Sequence, residues 1–182
     1  MVKLYLDPGH GGRDPGAVGN GLQEKDLTLA ISLKMRGLLR DYENAQVRLS
    51  REDDRTLTLK QRTDDANAWG ADYLMSIHIN AGGGTGFETF IYPGVGGATV
   101  ANQNVIHGKI MEQLDVRDRG KKAGNLHMVR ESRMPAILTE NLFIDNKSDA
   151  AKLKQDAYLD KIALGHVNGL VAAFGLKKKP TA

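Results

Sequence analysis

Two histidines and two glutamates in this sequence have the side-chain chemistry of a hydrolytic metal site. His10 lies in a glycine-rich stretch at residues 8–12, and Glu24 opens a helical pattern. His78 and Glu140 each lie at the end of an apolar run. Two imidazoles with one carboxylate are a known catalytic zinc set, which leaves a fourth coordination position open for water. A second carboxylate nearby can transfer protons, so the four residues predict a zinc hydrolase if the fold brings them together.

Each of the four residues also has a purely structural explanation. His10 could make a local hydrogen bond in a turn, and His78 could be a buried histidine at the end of a strand. Glu24 is a residue type that favours the first turn of a helix, where the backbone dipole stabilises a carboxylate. Because the four residues are scattered along the chain, their spacing does not show whether they meet or which glutamate would bind the metal.

The elements that must position these residues follow from the pattern of apolar residues. Strands are predicted at residues 3–7, 46–50, 72–80, 86–92 and 136–140, with a short extended piece at 126–129. Helices are predicted at 26–42, 58–69 and 99–114, and two more close the chain, the second at 158–174. This alternation predicts an α/β fold: one domain with a mostly parallel, twisted sheet of about six strands and helices on both faces. In such sheets, functional groups gather beyond the carboxyl ends of the strands, where His10, His78 and Glu140 are expected.

The composition restricts the classes of function. The chain has 182 residues, which suits a single domain. It contains no cysteine, so any transition metal must be held by histidine and carboxylate side chains. The run of three lysines at 177–179 lacks interleaved aromatic residues, which argues against nucleic-acid binding. The chain contains no run of about 18 apolar residues, so no membrane insertion is predicted. No secretion signal is visible at the amino terminus.

Several motifs in order give the sequence a family resemblance. Residues 6–12, Glu24 at the start of a helix, residues 76–81 and residues 135–140 together resemble the zinc-dependent N-acetylmuramoyl-L-alanine amidases of the amidase type 3 family. The resemblance extends over residues 2–176. Within the family, the sequence is most similar to sporulation amidases that lyse the mother cell and to related prophage endolysins.

The resemblance implies a role for each of the four residues. His10, Glu24 and His78 match the ligands of one Zn²⁺ per chain, and Glu140 matches the catalytic glutamate. The implied substrate is peptidoglycan, cleaved between the lactyl group of N-acetylmuramic acid and L-alanine of the stem peptide. The alternatives are another zinc peptidoglycan peptidase, a carboxypeptidase, or a wall-binding module without activity.

The resemblance also implies an organisation and a place of action. Residues 1–176 are expected to form the catalytic domain, and 177–182 a basic linker or tail that could lead to a wall-binding region. We expect a monomer that is made in the cytoplasm and acts on the cell wall after cell lysis or holin release.

Other polar residues are secondary candidates for a role in the site. Asn80 is predicted to orient the loop after His78 and is a candidate substrate contact. Asn125 and Arg130 are further candidates, because an arginine fork suits the carboxylates of a stem peptide. Glu88 is predicted to be an outward-facing strand residue. Arg51 and Arg62 are predicted to hold loops through salt bridges with Asp53, Asp54 or Asp64, and His107 and His166 are predicted to be structural.

Overall fold

The strands and helices of the protein alternate along most of the chain in the computed structural model, which describes residues 1–180. The strands are β1 (Val2–Pro8), β2 (Val18–Gly19), β3 (Leu22–Gln23), β4 (Ala45–Leu49), β5 (Tyr73–Asn80), β6 (Phe87–Ile91), β7 (Asp118–Ala123) and β8 (Ala136–Phe143). The helices are α1 (Glu24–Leu39), α2 (Leu59–Trp69), α3 (Ala98–Met111), α4 (His127–Arg130), α5 (Lys147–Leu153) and α6 (Asp156–Phe174).

Six of the strands form one sheet in the order β4-β1-β5-β8-β6-β7. The first four strands in this order are parallel, β6 runs antiparallel to β8, and β7 runs parallel to β6. A single α/β domain with a mostly parallel sheet is therefore confirmed. The parallel arrangement brings the carboxyl ends of β1, β5 and β8 to one edge, which is where the sequence places three of the four candidate residues.

The sheet has an apolar core on each face, because alternate residues of each strand point to opposite sides. Leu4 and Leu6 belong to the larger core, beneath α1, α3 and α6. Tyr5 belongs to the smaller core, beneath α2 and α4. Helices α3 and α6 approach closely at Gly169, where a Cβ atom would lie 2.9 Å from the Cα of Ile106. The small residue therefore allows the backbones of the two helices to meet.

One predicted element is wrong, and one strand of the main sheet was not predicted. Residues 126–129 were predicted to be extended, but α4 is a short helix there. A strand would send the neighbours Met128 and Val129 to opposite sides, whereas the helical turn buries both against the smaller core. Strand β7 was not predicted, because most of its residues are polar or charged and lack the alternation typical of a half-buried strand.

The chain after α6 lies against the loop between α1 and β4. The backbone N–H of Lys179 donates to the carbonyl of Asp41 at 2.7 Å, and Glu43 donates to the carbonyl of Lys177 at 2.9 Å. The predicted tail at 177–182 thus begins in contact with the domain, and its last two residues lie outside the described range. Within residues 1–180, no helix combines the length and apolarity needed to cross a bilayer.

Candidate metal centre

His10, Glu24 and His78 converge at the carboxyl edge of the sheet. One potential ligand atom from each of the three residues lies within 4.8 Å of the others. Nε2 of His10 is 3.2 Å from Oε2 of Glu24, and Nδ1 of His78 is 3.0 Å from Oε1 of the same carboxylate. The two imidazole rings meet edge to face with their centroids 5.0 Å apart. These three residues form a group that could hold a metal ion.

Glycines in the loop around His10 make this convergence possible. A Cβ atom on Gly9 would lie 2.4 Å from Cε1 of His78, and one on Gly16 would lie 2.6 Å from Oε2 of Glu24. Both distances are shorter than real Cβ contacts allow, so any larger residue would push a ligand side chain away. His10 itself adopts the left-handed conformation, with a φ of 62°. The glycine-rich stretch therefore leaves room for imidazole and carboxylate groups.

Hydrogen bonds from outside the group fix the orientation of the ligands. Nδ1 of His10 is 2.8 Å from Oδ2 of Asp14, which leaves Nε2 to face the site. The two carboxylate oxygens of Glu24 accept backbone N–H groups of Ala17 at 2.8 Å and Ile79 at 2.9 Å. Such outer partners orient metal ligands and raise the basicity of a ligating imidazole. This role of Asp14 was not predicted from the sequence, although a carboxylate four residues after a candidate ligand is a usable signal.

Two buried arginines hold the loop that carries His10 by donating hydrogen bonds to its backbone carbonyls. Nη1 of Arg62 donates to Oδ1 of Asp7 at 2.9 Å, and Nη2 donates to the carbonyl of His10 at 2.5 Å. Arg51 is 1% exposed and donates to the carbonyls of Pro8 at 3.1 Å and Gly9 at 3.0 Å. Both arginines hold loops, as predicted, but not through the predicted salt bridges. Arg62 pairs with the buried Asp7, and Arg51 donates to backbone carbonyls and to the hydroxyl of Thr28.

The charges of the group favour an ionised carboxylate between the histidines. Burial opposes ionisation of Glu24, but hydrogen bonds from His10 and His78 outweigh burial and hold its pKa well below the usual range. Burial lowers the pKa of His10, but Glu24 and Asp14 more than compensate and raise it to about 9. Without a metal, His10 therefore retains a proton that a divalent cation would displace.

Glu140 lies beside this group with an unsatisfied oxygen. It is paired with His78 in the register of β5 and β8. Its Oε2 is buried and has no hydrogen-bond partner among residues 1–180. Burial is the main cause that raises the pKa of Glu140 to about 7; His78 lowers this pKa, while Glu24 and Glu88 raise it. A carboxyl group with such a pKa can both accept and donate a proton near neutral pH.

The candidate substrate residues are not all at this edge. Asn80 follows His78 on β5, and its Nδ2 donates to Oε1 of Glu88 at 2.7 Å. Nη1 of Arg130 donates to Oδ1 of Asn125 at 2.7 Å, and neither residue hydrogen-bonds to the four central residues. Substrate contact by Asn80, Asn125 and Arg130 stays a prediction.

Glu88 differs from its prediction as an outward-facing residue. Only 4% of it is exposed, and its carboxylate accepts hydrogen bonds from Asn80, Arg119 and Lys122. The prediction is wrong because both cations come from β7, the strand that the sequence pattern did not reveal. His107 on α3 and His166 on α6 are structural, as predicted: both are buried, and they bond to Thr89 and Thr139 respectively.

Known proteins resemble this chain over almost its full length. The family model described as N-acetylmuramoyl-L-alanine amidase matches residues 4–172. A sporulation-specific N-acetylmuramoyl-L-alanine amidase of Bacillus subtilis is 56% identical over 179 residues, which cover 98% of this chain and 70% of that protein. An endolysin of Bacillus phage SPP1 is 45% identical over 186 residues, which cover 98% of this chain and 69% of the endolysin.

A comparison with solved structures leads to the same family. The catalytic domain of CwlV, an N-acetylmuramoyl-L-alanine amidase from Bacillus (Paenibacillus) polymyxa var. colistinus, superposes with a TM-score of 0.93 at 34% identity. The match covers 97% of this chain and 100% of that domain. The predicted resemblance to sporulation amidases and phage endolysins is confirmed, and the chain belongs to the N-acetylmuramoyl-L-alanine amidase family.

Proposed function

We propose that this enzyme uses one zinc ion, bound by His10, Glu24 and His78, to hydrolyse peptidoglycan. The bond cleaved joins the lactyl group of N-acetylmuramic acid to L-alanine of the stem peptide. One observation carries the proposal: a buried oxygen of Glu140, which has no hydrogen-bond partner in the described part of the chain, lies beside a set of two imidazoles and one carboxylate. Family membership supports the choice of bond.

The donor set fits zinc. Two imidazole nitrogens and one carboxylate oxygen are a known set for catalytic zinc, and three protein ligands leave a fourth position open. The hydrogen bond between Nδ1 of His10 and the carboxylate of Asp14 is also typical of histidines that bind zinc. When bound, zinc polarises the scissile carbonyl and lowers the pKa of water towards about 7.

Glu140 transfers the protons in this proposal. Its free Oε2 accepts a proton from the attacking water and then gives it to the nitrogen of the departing L-alanine. Burial raises the pKa of this carboxyl group to about 7 in the metal-free protein, which supports its use as a group that both takes up and releases a proton. Meanwhile Asp14 keeps Nδ1 of His10 engaged, and Arg62 holds the backbone carbonyl of His10 in place.

The remaining parts of the proposal concern the whole protein. Residues 1–176 act as the catalytic domain, and the basic residues 177–179 follow it. The enzyme works as a monomer, is made in the cytoplasm and reaches the wall after cell lysis or holin release. The resemblance to a sporulation-specific amidase and to a phage endolysin supports this route.

Two substitutions separate metal binding from proton transfer. Glu140→Ala should abolish turnover of peptidoglycan while the protein still binds one equivalent of zinc, measured by atomic emission. His78→Ala should lose both zinc and turnover. The exposed Glu112, which pairs with Lys109 of α3, provides a matched control, and Glu112→Ala should change neither. Retained activity in Glu140→Ala would remove Glu140 from its role, and full zinc content in His78→Ala would remove His78 from the ligand set.

A further inference from the structure

Two basic side chains of β7 converge on one buried carboxylate next to the metal centre. Nε of Arg119 donates to Oε2 of Glu88 at 2.8 Å, and Nζ of Lys122 donates to the same oxygen. The side chain of Glu88 is 5% exposed, whereas those of Arg119 and Lys122 are 26% and 38% exposed. A buried anchor thus holds two cations whose outer parts reach solvent.

This basic cluster, formed by Arg119, Lys122 and Glu88, lies close to Glu140. Glu88 is directly opposite Glu140 in the antiparallel register of β6 and β8, so both side chains point to the same face of the sheet. Neighbouring strands are about 4.8 Å apart. Because Arg119 and Lys122 reach from β7 back to Glu88, their charges lie about one strand away from Glu140.

The cluster retains a positive charge and free hydrogen-bond donors. Two cations against one carboxylate leave one net positive charge. Within residues 1–180, Arg119 uses only Nε for a side-chain hydrogen bond, so Nη1 and Nη2 are available. The guanidinium group lies 4.8 Å from the ring centroid of Phe143, which limits its orientations. An arginine fork held in this way suits a carboxylate, which accepts two parallel N–H groups.

We propose that the basic cluster binds the free α-carboxylate of the second stem-peptide residue, the one that follows L-alanine. The inference rests on the proposed function, since it takes the scissile bond to lie at Glu140. An extended peptide advances about 3.4 Å per residue, so the second residue lies roughly 7 Å beyond the scissile bond. A side chain anchored one strand from Glu140 can span that distance. Arg119 is thereby a specificity residue, and Glu88 and Lys122 position it.

Two synthetic substrates test the inference on the zinc-loaded enzyme. In N-acetylmuramoyl-L-alanyl-D-glutamate the α-carboxylate of the second residue is free. In N-acetylmuramoyl-L-alanyl-D-isoglutamine an amide replaces that α-carboxylate. The wild type should cleave the first with a kcat/KM about tenfold or more above that of the second, the usual size of a charge-assisted hydrogen bond. Arg119→Gln should remove most of this preference by slowing cleavage of the free acid alone.

Lys121 is the matched control, because it lies on the same strand but pairs with Asn104 of α3 on the opposite face. Lys121→Gln should keep the wild-type preference. Equal kcat/KM for the two substrates in the wild type overturns the inference, and this comparison needs no folded variant. An Arg119→Gln enzyme that keeps the wild-type preference also overturns it. Failure of the wild type to cleave either substrate at the L-alanine bond would instead overturn the proposed function.

Discussion

Replacing Glu140 with glutamine should stabilise the metal-free protein at alkaline pH while removing activity. Burial raises the pKa of Glu140 from the ordinary 4.5 to about 7. Because the folded pKa is the higher one, the stability that the protonated group contributes is present below pH 4.5 and lost as pH rises through about 7. Glutamine is neutral at every pH, so the substitution should restore that stability only at high pH.

The size of the effect follows from the two pKa values. At about 1.4 kcal/mol per pKa unit, ionised Glu140 costs the folded state up to about 3 kcal/mol at pH 8. For a domain of this length, 1 kcal/mol shifts the melting temperature by about 2–4 °C. Thermal unfolding of chelator-treated Glu140→Gln should therefore give a Tm higher than the wild type by up to about 10 °C at pH 8 and nearly equal at pH 4.

Glu88→Gln provides the control with the opposite sign. Burial alone would raise the pKa of Glu88, but Lys122 and Arg119 outweigh burial and lower it. Its ionised form thus contributes stability that is lost as pH falls, and Glu88→Gln should lower Tm at pH 8. The reasoning is refuted if Glu140→Gln melts at or below the wild-type temperature at pH 8, or if its gain is as large at pH 4.

Three further substitutions test how the ligands are held. Asp14→Ala should weaken zinc affinity by about 10–100-fold in competition with a chromophoric chelator, because His10 loses its outer hydrogen bond. Gly9→Ala should also lower zinc affinity by that assay, because the added Cβ would lie 2.4 Å from His78. Arg62→Met should lower the free energy of unfolding in urea by about 3–5 kcal/mol, because it leaves the buried Asp7 carboxylate without its ionic partner.

Each of these three has an outcome that would count against it. Unchanged zinc affinity in Asp14→Ala would show that the contact with Asp14 does not orient the ligand. In the Gly9 test, Gly37→Ala is the control, since no atom of residues 1–180 that lies outside its own helical turns comes within 4 Å of its added Cβ. Equal zinc affinity in the two variants would contradict the steric argument. For Arg62, the control is Arg48→Met, whose more exposed pair with Asp65 should contribute less than about 1 kcal/mol. Equal losses in the two arginine variants would contradict the value assigned to burial.

The sequence predicted the central geometry because that geometry depends on strong, local patterns. Apolar runs before His78 and Glu140 mark strands, and parallel strands must end at one edge, so two of the four residues could be placed without any contact information. Glu24 could be placed at the start of a helix because the apolar residues after it recur at helical spacing. The positions of these residues therefore followed from periodicity, while their separate chemical roles came from the family resemblance.

The parts that were missed depend on contacts between distant segments. The hydrogen bonds of Glu88 to Arg119 and Lys122 join positions 31 and 34 residues apart, through an edge strand whose charged residues hide its β structure. Similarly, the pairing of Arg62 with Asp7 spans 55 residues. The residues that flank Glu88 and Arg62 in the sequence do not indicate their partners, so only the fold could identify these pairs.

Digestion of purified peptidoglycan tests the central claim most directly. The wall is incubated with the protein as prepared, with the protein after a chelator, and with the chelated protein after zinc is returned, and the products are identified by mass spectrometry. We expect stem peptides with free L-alanine amino termini in the first sample, none in the second and their return in the third. Cleavage at a different bond, or full cleavage at the L-alanine bond after complete removal of metal, would contradict the account.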